Sequence, residues 1–163
     1  MENNSIGKNS IDNGIEVYLV TTISDCGETR ENFVTLDEKF AIETAFDMYE
    51  AYDRENVFVE TWKNNVITRL GYIIKGFSNM ENKSIEKNSI DDGVEVYLVF
   101  AVSPNGETLE NFVTLDRKLS VEKAFDMDGV YNPQTVFVET WRDGVMIGLG
   151  YILDGKLIEE RFN

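Results

Sequence analysis

From Glu16 to Ile23 the chain is dense in β-branched and aromatic residues, with Asp12-Asn13-Gly14 before the run and Asp25-Cys26-Gly27 after it. An apolar run of this length between two turn-forming triplets predicts a strand buried on both faces. Thr29 to Leu36 alternates instead, with Val34 and Leu36 on one side and Glu31 and Phe33 on the other, which predicts its hairpin partner. From Asp37 to Tyr52 the spacing turns helical: Ile42, Ala45, Phe46 and Tyr49 share one face, while Lys39, Glu43, Asp47 and Glu50 form the opposite stripe. Thr35 with Glu38 offers a capping box, and Asp37 is the alternative N-cap. Two more strands are predicted at Val57 to Trp62 and Val66 to Ile74, joined by Lys63-Asn64-Asn65, whose Asn pair accepts the positive φ angles of a tight turn. In the third strand Val57, Val59 and Thr61 point one way and Phe58, Glu60 and Trp62 the other.

The whole pattern then recurs. Laying residues 1–78 over 80–157 gives 46 identities, including Met80-Glu81-Asn82 over the opening Met1-Glu2-Asn3 and VFVETW at both 57–62 and 136–141. The period is longer than a solenoid or propeller repeat and occurs only twice. The chain therefore divides into a first repeat unit, 1–78, and a second, 79–163, each reading β-β-α-β-β. A unit of that size has a marginal core on its own, so an ancestral free-standing protein stabilised by pairing is expected, with the two units now fused. In the second unit Asp143-Gly144 makes the hairpin turn and Asp116 the helix cap, because Arg117 replaces Glu38. Gly129 and Pro133 predict an earlier helix end there. One helix covers only one face of a sheet, yet the first strand is apolar on both. The fold class expected is α+β: antiparallel sheets with one helix each, in a pseudo-twofold arrangement that packs the sheets together or joins them edge to edge, helices outside. Thr21, Thr22 and Thr68 become Phe100, Ala101 and Ile147, so the symmetry should be imperfect.

Composition narrows the chemistry. Of 163 residues, 42% are apolar and 12% aromatic, enough for a folded core. The 30 acidic and 15 basic residues leave a formal charge of −15. Direct binding to nucleic acid or an anionic membrane would oppose like charges, so neither is expected as a ligand. With no His, a Ser-His-Asp or Cys-His nucleophile, a His-ligated metal and an imidazole switch are all excluded. Cys26 is the single cysteine, aligns with Asn105 and reads as a surface turn position with no disulfide. No run is long enough to span a membrane, and the Met-Glu-Asn-Asn start lacks the features of a signal peptide, so a cytoplasmic location is expected.

Catalysis would have to rest on carboxylates. Asp12-Asn13-Gly14-Ile15-Glu16 and Asp91-Asp92-Gly93-Val94-Glu95 resemble a calcium loop only superficially, since the acidic register and terminal Glu are missing; an Asx turn is the simpler reading. Leu70-Gly71-Tyr72 and Gly148-Leu149-Gly150-Tyr151 match no phosphate loop, and their glycines mark a bulge or close packing. Glu60 and Glu139 sit between aromatic neighbours, where a carboxylate could have a raised pKa and act as a base, but neither a nucleophile nor a second catalytic group can be placed beside them. A cross-strand pairing role accounts for them equally well. The chain is therefore expected to be no enzyme and to carry no cofactor or metal.

What remains is distributed charge, 14 acidic against 7 basic residues in the first unit and 16 against 8 in the second, or −7 and −8. Each value is ordinary for the solubility of a small domain. The functional reading is an acidic inhibitor of the anti-restriction, anti-CRISPR or immunity type, a host-cell or phage-encoded mimic of nucleic acid that presents carboxylates to the basic groove of a nuclease or other nucleic-acid-binding protein. The candidate contact residues are Glu28, Glu31, Glu43, Asp47 and Glu60 with their counterparts Glu107, Glu110, Glu122, Asp126 and Glu139. Trp62 and Trp141, with Phe33 and Phe112, would be aromatic anchors if exposed. The alternative is a module that holds a small ligand or peptide in the cleft between the units.

Overall fold

The computed structural model describes residues 14–52, 55–74, 77–80, 93–131 and 135–162. The turns expected at Asp12–Asn13 and Asp91–Asp92 lie outside them. The first half holds β1 (Glu16–Ile23), β2 (Thr29–Thr35), α1 (Glu38–Ala51), β3 (Asn56–Lys63), β4 (Val66–Ile74) and the two-residue β5 (Phe77–Ser78). The second holds β6 (Val96–Val102), β7 (Thr108–Thr114), α2 (Arg117–Tyr131), β8 (Thr135–Arg142), β9 (Val145–Leu153) and β10 (Lys156–Arg161). The fold is α+β, with two antiparallel sheets in the orders β2-β1-β3-β4-β5 and β10-β9-β8-β6-β7. Their registers correspond: Leu19 faces Glu60 and Leu98 faces Glu139, and both third strands bulge just before the Trp.

Local chemistry explains the elements. Asn64 and Asn65 take φ of 52° and 63°, and Asp143 and Gly144 take 52° and 75°, the left-handed pair that a two-residue hairpin needs. Of the two possible helix caps, Asp37 is used: its side chain accepts from the Phe40 N–H at 3.1 Å, while Glu38 turns away to pair with Arg69. Asp116 Oδ1 likewise accepts from Lys118 and Leu119 N–H, at 2.8 and 3.2 Å.

Three expectations need correction. The buried face of α1 is Ala41, Ala45, Met48 and Tyr49, with Ile42 and Phe46 only half-buried. The small Ala41 and Ala45 let the helix axis approach the sheet, and Met48 then reaches Thr22, whose hydroxyl lies 3.5 Å from its sulfur. The second helix does not end early: it has 15 residues against 14. Gly129 faces open space within it, so its cost of about 1 kcal/mol weakens the helix without stopping it, and the helix runs to Tyr131. Finally, each half carries a fifth strand: in the second a further hairpin at Asp154-Gly155, φ 51° and 68°, folds β10 back along β9, and in the first the two-residue β5 pairs with the end of β4.

Packing sets the layers. Val20, Val57 and Val59 meet Ala41, Ala45 and Met48 of α1, and Val99, Val136 and Val138 meet Ala124 and Met127 of α2. The opposite sheet faces pack on each other through one shared cluster that includes Val17, Leu19, Val34 and Trp62 from one half and Val96, Leu98, Val113 and Trp141 from the other. The sheets therefore stack face to face with the helices outside. Leu19 and Leu98 have no exposed surface, and each contributes roughly 2–3 kcal/mol by burial. Contacts across this layer recur with partners exchanged. Phe33 meets Trp141 edge to face at 5.9 Å between ring centroids, and Phe112 meets Trp62 at 6.4 Å. Glu28 and Glu107 form a backbone bridge, and the hydroxyls of Thr29 and Thr108, 79 residues apart, lie 2.7 Å from each other.

Candidate functional site

The two β-hairpin turns that precede β2 and β7 meet at one seam. Each is closed by a Ser: Ser24 Oγ and Ser103 Oγ accept from the N–H of Glu28 and Glu107, both at 3.1 Å. The bridge between Glu28 and Glu107 joins the two turns, with the Glu107 side chain beside Gly27 and that of Glu28 beside Gly106, and a cation at the rim: Arg30 pairs with Glu28 at 3.1 Å and with Glu55 at 3.7 Å. Glu31 is exposed and accepts from the Tyr52 hydroxyl at 2.6 Å, which pushes that hydroxyl's pKa up. Glu110 pairs with Lys123 at 2.7 Å and accepts from Tyr131; the ammonium holds its pKa below the ordinary carboxylate value.

The helix carboxylates are not part of that seam. Glu43 and Glu122 make exposed i,i+4 pairs with Lys39 and Lys118, and Asp47 and Asp126 are exposed on the same helices, which lie on opposite outer sides of the stacked sheets. The two Trp are not surface anchors: Trp62 and Trp141 are 6% and 7% exposed, held between the sheets. Phe33 and Phe112 are half-buried against the same layer. Each Trp donates its indole N–H to the Glu two residues earlier, Trp62 to Glu60 at 2.8 Å and Trp141 to Glu139 at 2.9 Å. Glu60 and Glu139 therefore belong to the interlayer. Burial raises both pKa values against the opposing indole bond, and Glu139 is pushed up to about 7.

Between the sheets, beside the seam, the first half leaves a cleft of about 320 Å³. Glu60 lies in its wall with Phe58, Trp62 and Thr21; Leu109, Glu110 and Asn111 close it from the second half. The equivalent space in the second half is occupied, because Phe100 stands where the first half has Thr21 and stacks on Phe137 at 5.3 Å between centroids. Sequence reasoning offers a cleft between the units without placing it, and the Thr21-to-Phe100 mismatch is the signal for its position. A second hollow of about 320 Å³ lies on the helix side of the same sheet, among Tyr18, Glu38, Arg69 and Met80. Tyr18 donates to Glu16 at 2.9 Å there, and burial raises its pKa well above the ordinary value. Among the described residues no group of three Cys, Asp or Glu is placed to hold a metal ion, and no helix is long and apolar enough to cross a membrane.

A carboxylate, an indole N–H and hydroxyls can bind and orient a ligand. No known protein family, curated protein or solved structure matches the chain.

Proposed function

We propose that the chain is a non-enzymatic acidic binding protein that occupies the basic groove of a nuclease or other nucleic-acid-binding protein in the cytoplasm. The observation that carries this reading is the bridge of Glu28 to Glu107, which merges the acidic turns of both halves into one rigid rim on a chain of charge −15. Carboxylates fixed by sheet geometry can oppose Lys and Arg of a phosphate-binding groove without first being ordered, which lowers the cost of association. We further infer that the halves arose by tandem duplication and pair about a pseudo-twofold axis. The exchanged Phe–Trp contacts and the meeting of Thr29 with Thr108 support this, since a twofold axis makes every contact occur twice or join equivalent residues.

The test is capture of the partner from the source cell, followed by a competition assay against its own nucleic acid. A basic protein released by about 0.5 M salt, and displaced from its nucleic acid by this chain, is the expected result. Glu28, Glu31, Glu107 and Glu110 reversed together to Lys should weaken binding by about 100-fold, as four rim contacts of roughly 0.5–1 kcal/mol each would. Unchanged affinity in that variant, or a partner that keeps its nucleic acid fully bound, overturns the reading.

A further inference from the structure

We propose that the cleft beside Glu60 is a binding site for an alkyl-ammonium or alkyl-guanidinium group, a cationic head on a short apolar stem. The inference stands on the cleft's own walls and goes beyond the role of the acidic rim. Three features select this chemistry. The first is charge: the cleft is bordered by Glu60 and Glu110, and no Lys or Arg lines it. Glu110 already has Lys123, whereas Glu60 accepts one bond, from Trp62 to Oε2, and its Oε1 has no protein donor among the described residues. A half-buried carboxylate with one open oxygen is stabilised most by a donor that also carries positive charge.

The second is shape. At about 320 Å³ the cleft sits at the small end of ligand pockets and is large enough for a chain of a few carbons. Ile23, Ile67, Leu70 and Leu109 offer the stem an apolar wall, and Phe58 and Trp62 offer the head an aromatic face. The third is the closed counterpart. Phe100 stacks on Phe137 where the first half sets Thr21 beside Phe58, so among the described residues the opening is kept on the first half's side. Burial raises the pKa of Glu60, which means its ionised form is short of solvation, and a bound cation would supply it.

A free small cation and an Arg or Lys side chain presented by another protein share this chemistry, and two probes separate them. The indole N–H signals of Trp62 and Trp141 are followed by NMR while n-butylguanidinium, and separately a blocked Gly-Arg-Gly peptide, is added up to about 10 mM, enough to detect a Kd near 1 mM. A saturable shift of Trp62, with Trp141 unmoved, is expected. A response to both probes assigns the site to a protein-borne side chain as well, and a response to n-butylguanidinium alone assigns it to a free ligand. Glu60→Gln should weaken binding at least tenfold while keeping the Trp62 bond, and Thr21→Phe should block entry with Glu60 intact. Glu139→Gln should leave the affinity unchanged. Absence of a saturable shift with either probe, or a shift that survives in both the Glu60→Gln and Thr21→Phe proteins, overturns the proposal.

Discussion

Replacing Glu139 by Gln should stabilise the protein at alkaline pH and weaken it by about 1 kcal/mol in acid. The folded carboxyl has its pKa at about 7 against an ordinary 4.5, a difference of about 2.5 units. Burial is the leading cause, and the Trp141 indole N–H is the one contact that opposes it. Below pH 4.5 the group is protonated in both states and the fold bears no cost. Between 4.5 and 7 the unfolded chain ionises while the folded one keeps its proton, so stability declines as pH rises through that window. Above pH 7 the folded protein carries a buried anion, and the accumulated loss is roughly 3 kcal/mol at 1.36 kcal/mol per unit.

Gln is never charged and its side-chain oxygen still accepts from Trp141. Its second amide hydrogen lacks the partner that a carboxylic acid does not need, which costs on the order of 1 kcal/mol. A net gain of about 2 kcal/mol at pH 8 follows, or about 4–8 °C in Tm for a chain of this size. Urea unfolding of both proteins at pH 4 and pH 8, in about 0.15 M salt to damp surface repulsion, measures it. Equal stabilisation at both pH values would refute the reasoning, since removing one surface charge does not distinguish them. So would destabilisation at pH 8, which would mean that Glu139 is held by an interaction stronger than the cost of its burial. Glu60→Gln should show the same sign with a smaller gain, because Glu60 borders the open cleft.

Phe100→Thr should open the second half as Thr21 leaves the first, costing roughly 3 kcal/mol of core packing; n-butylguanidinium would then bind with two equivalents by calorimetry, and one equivalent would contradict the account of the closed side. Gly144→Ala should destabilise by roughly 2 kcal/mol in urea unfolding, since φ is +75° and an added Cβ would lie 2.9 Å from both Phe33 and Phe40 of the other half; an unchanged midpoint would show that neither constraint operates. Glu95 has its pKa lowered to about 2, first by Arg161, then by Tyr97 and Arg142, so its contribution is complete above its ordinary 4.5 and is lost as pH falls towards 2. Amide protection, corrected for the intrinsic pH dependence of exchange, should therefore fall in β10 in acid before it falls in β6, and Glu95→Gln should reproduce the effect at pH 7; equal protection in both strands would disconnect the ion pairs from β10.

The strands that sequence predicted best are those whose pattern is intrinsic to one segment. Glu16 to Ile23 coincides with β1, because an apolar β-branched run between turns needs no information from elsewhere. β10 was missed although Asp154-Gly155 is a hairpin signal, because only Leu157 and Ile158 in it are apolar and its stability comes from pairing with β9 and from Arg161 on Glu95. The helix face was displaced because hydrophobicity favours Ile42 and Phe46, whereas sheet proximity favours the smaller Ala41. The same limit governed the site. Alternation correctly put Phe58, Glu60 and Trp62 on one face, but whether that face meets solvent or the other sheet depends on how the halves pack. The acidic turns were legible as charge, while their merger at Glu28 and Glu107 was not.

The differences between the halves fall at places where their structures differ. Gly148 takes the position of Arg69, and a Cβ there would lie 3.2 Å from Arg161 and from the Glu160 carbonyl, so the missing side chain is what lets β10 run the length of β9. In the first half Arg69 pairs instead with Glu38, and among the described residues β5 covers only Ile73 and Ile74 of β4. Ile67 and Leu70 are exposed at 47% and 49%, whereas their counterparts Met146 and Leu149 are half-buried. Phe100 against Thr21 acts in the same direction on the inner face, filling the second half and leaving the first open. Substitutions without direction would scatter such changes between two similar halves. Here one half is closed on its inner face and along its outer edge, and the other is left with a carboxylate in a cleft and an apolar strand edge on the same sheet. Both halves are packed around their own helix, but only in the first do Thr21, Glu60 and Leu70 line an open cleft among the described residues.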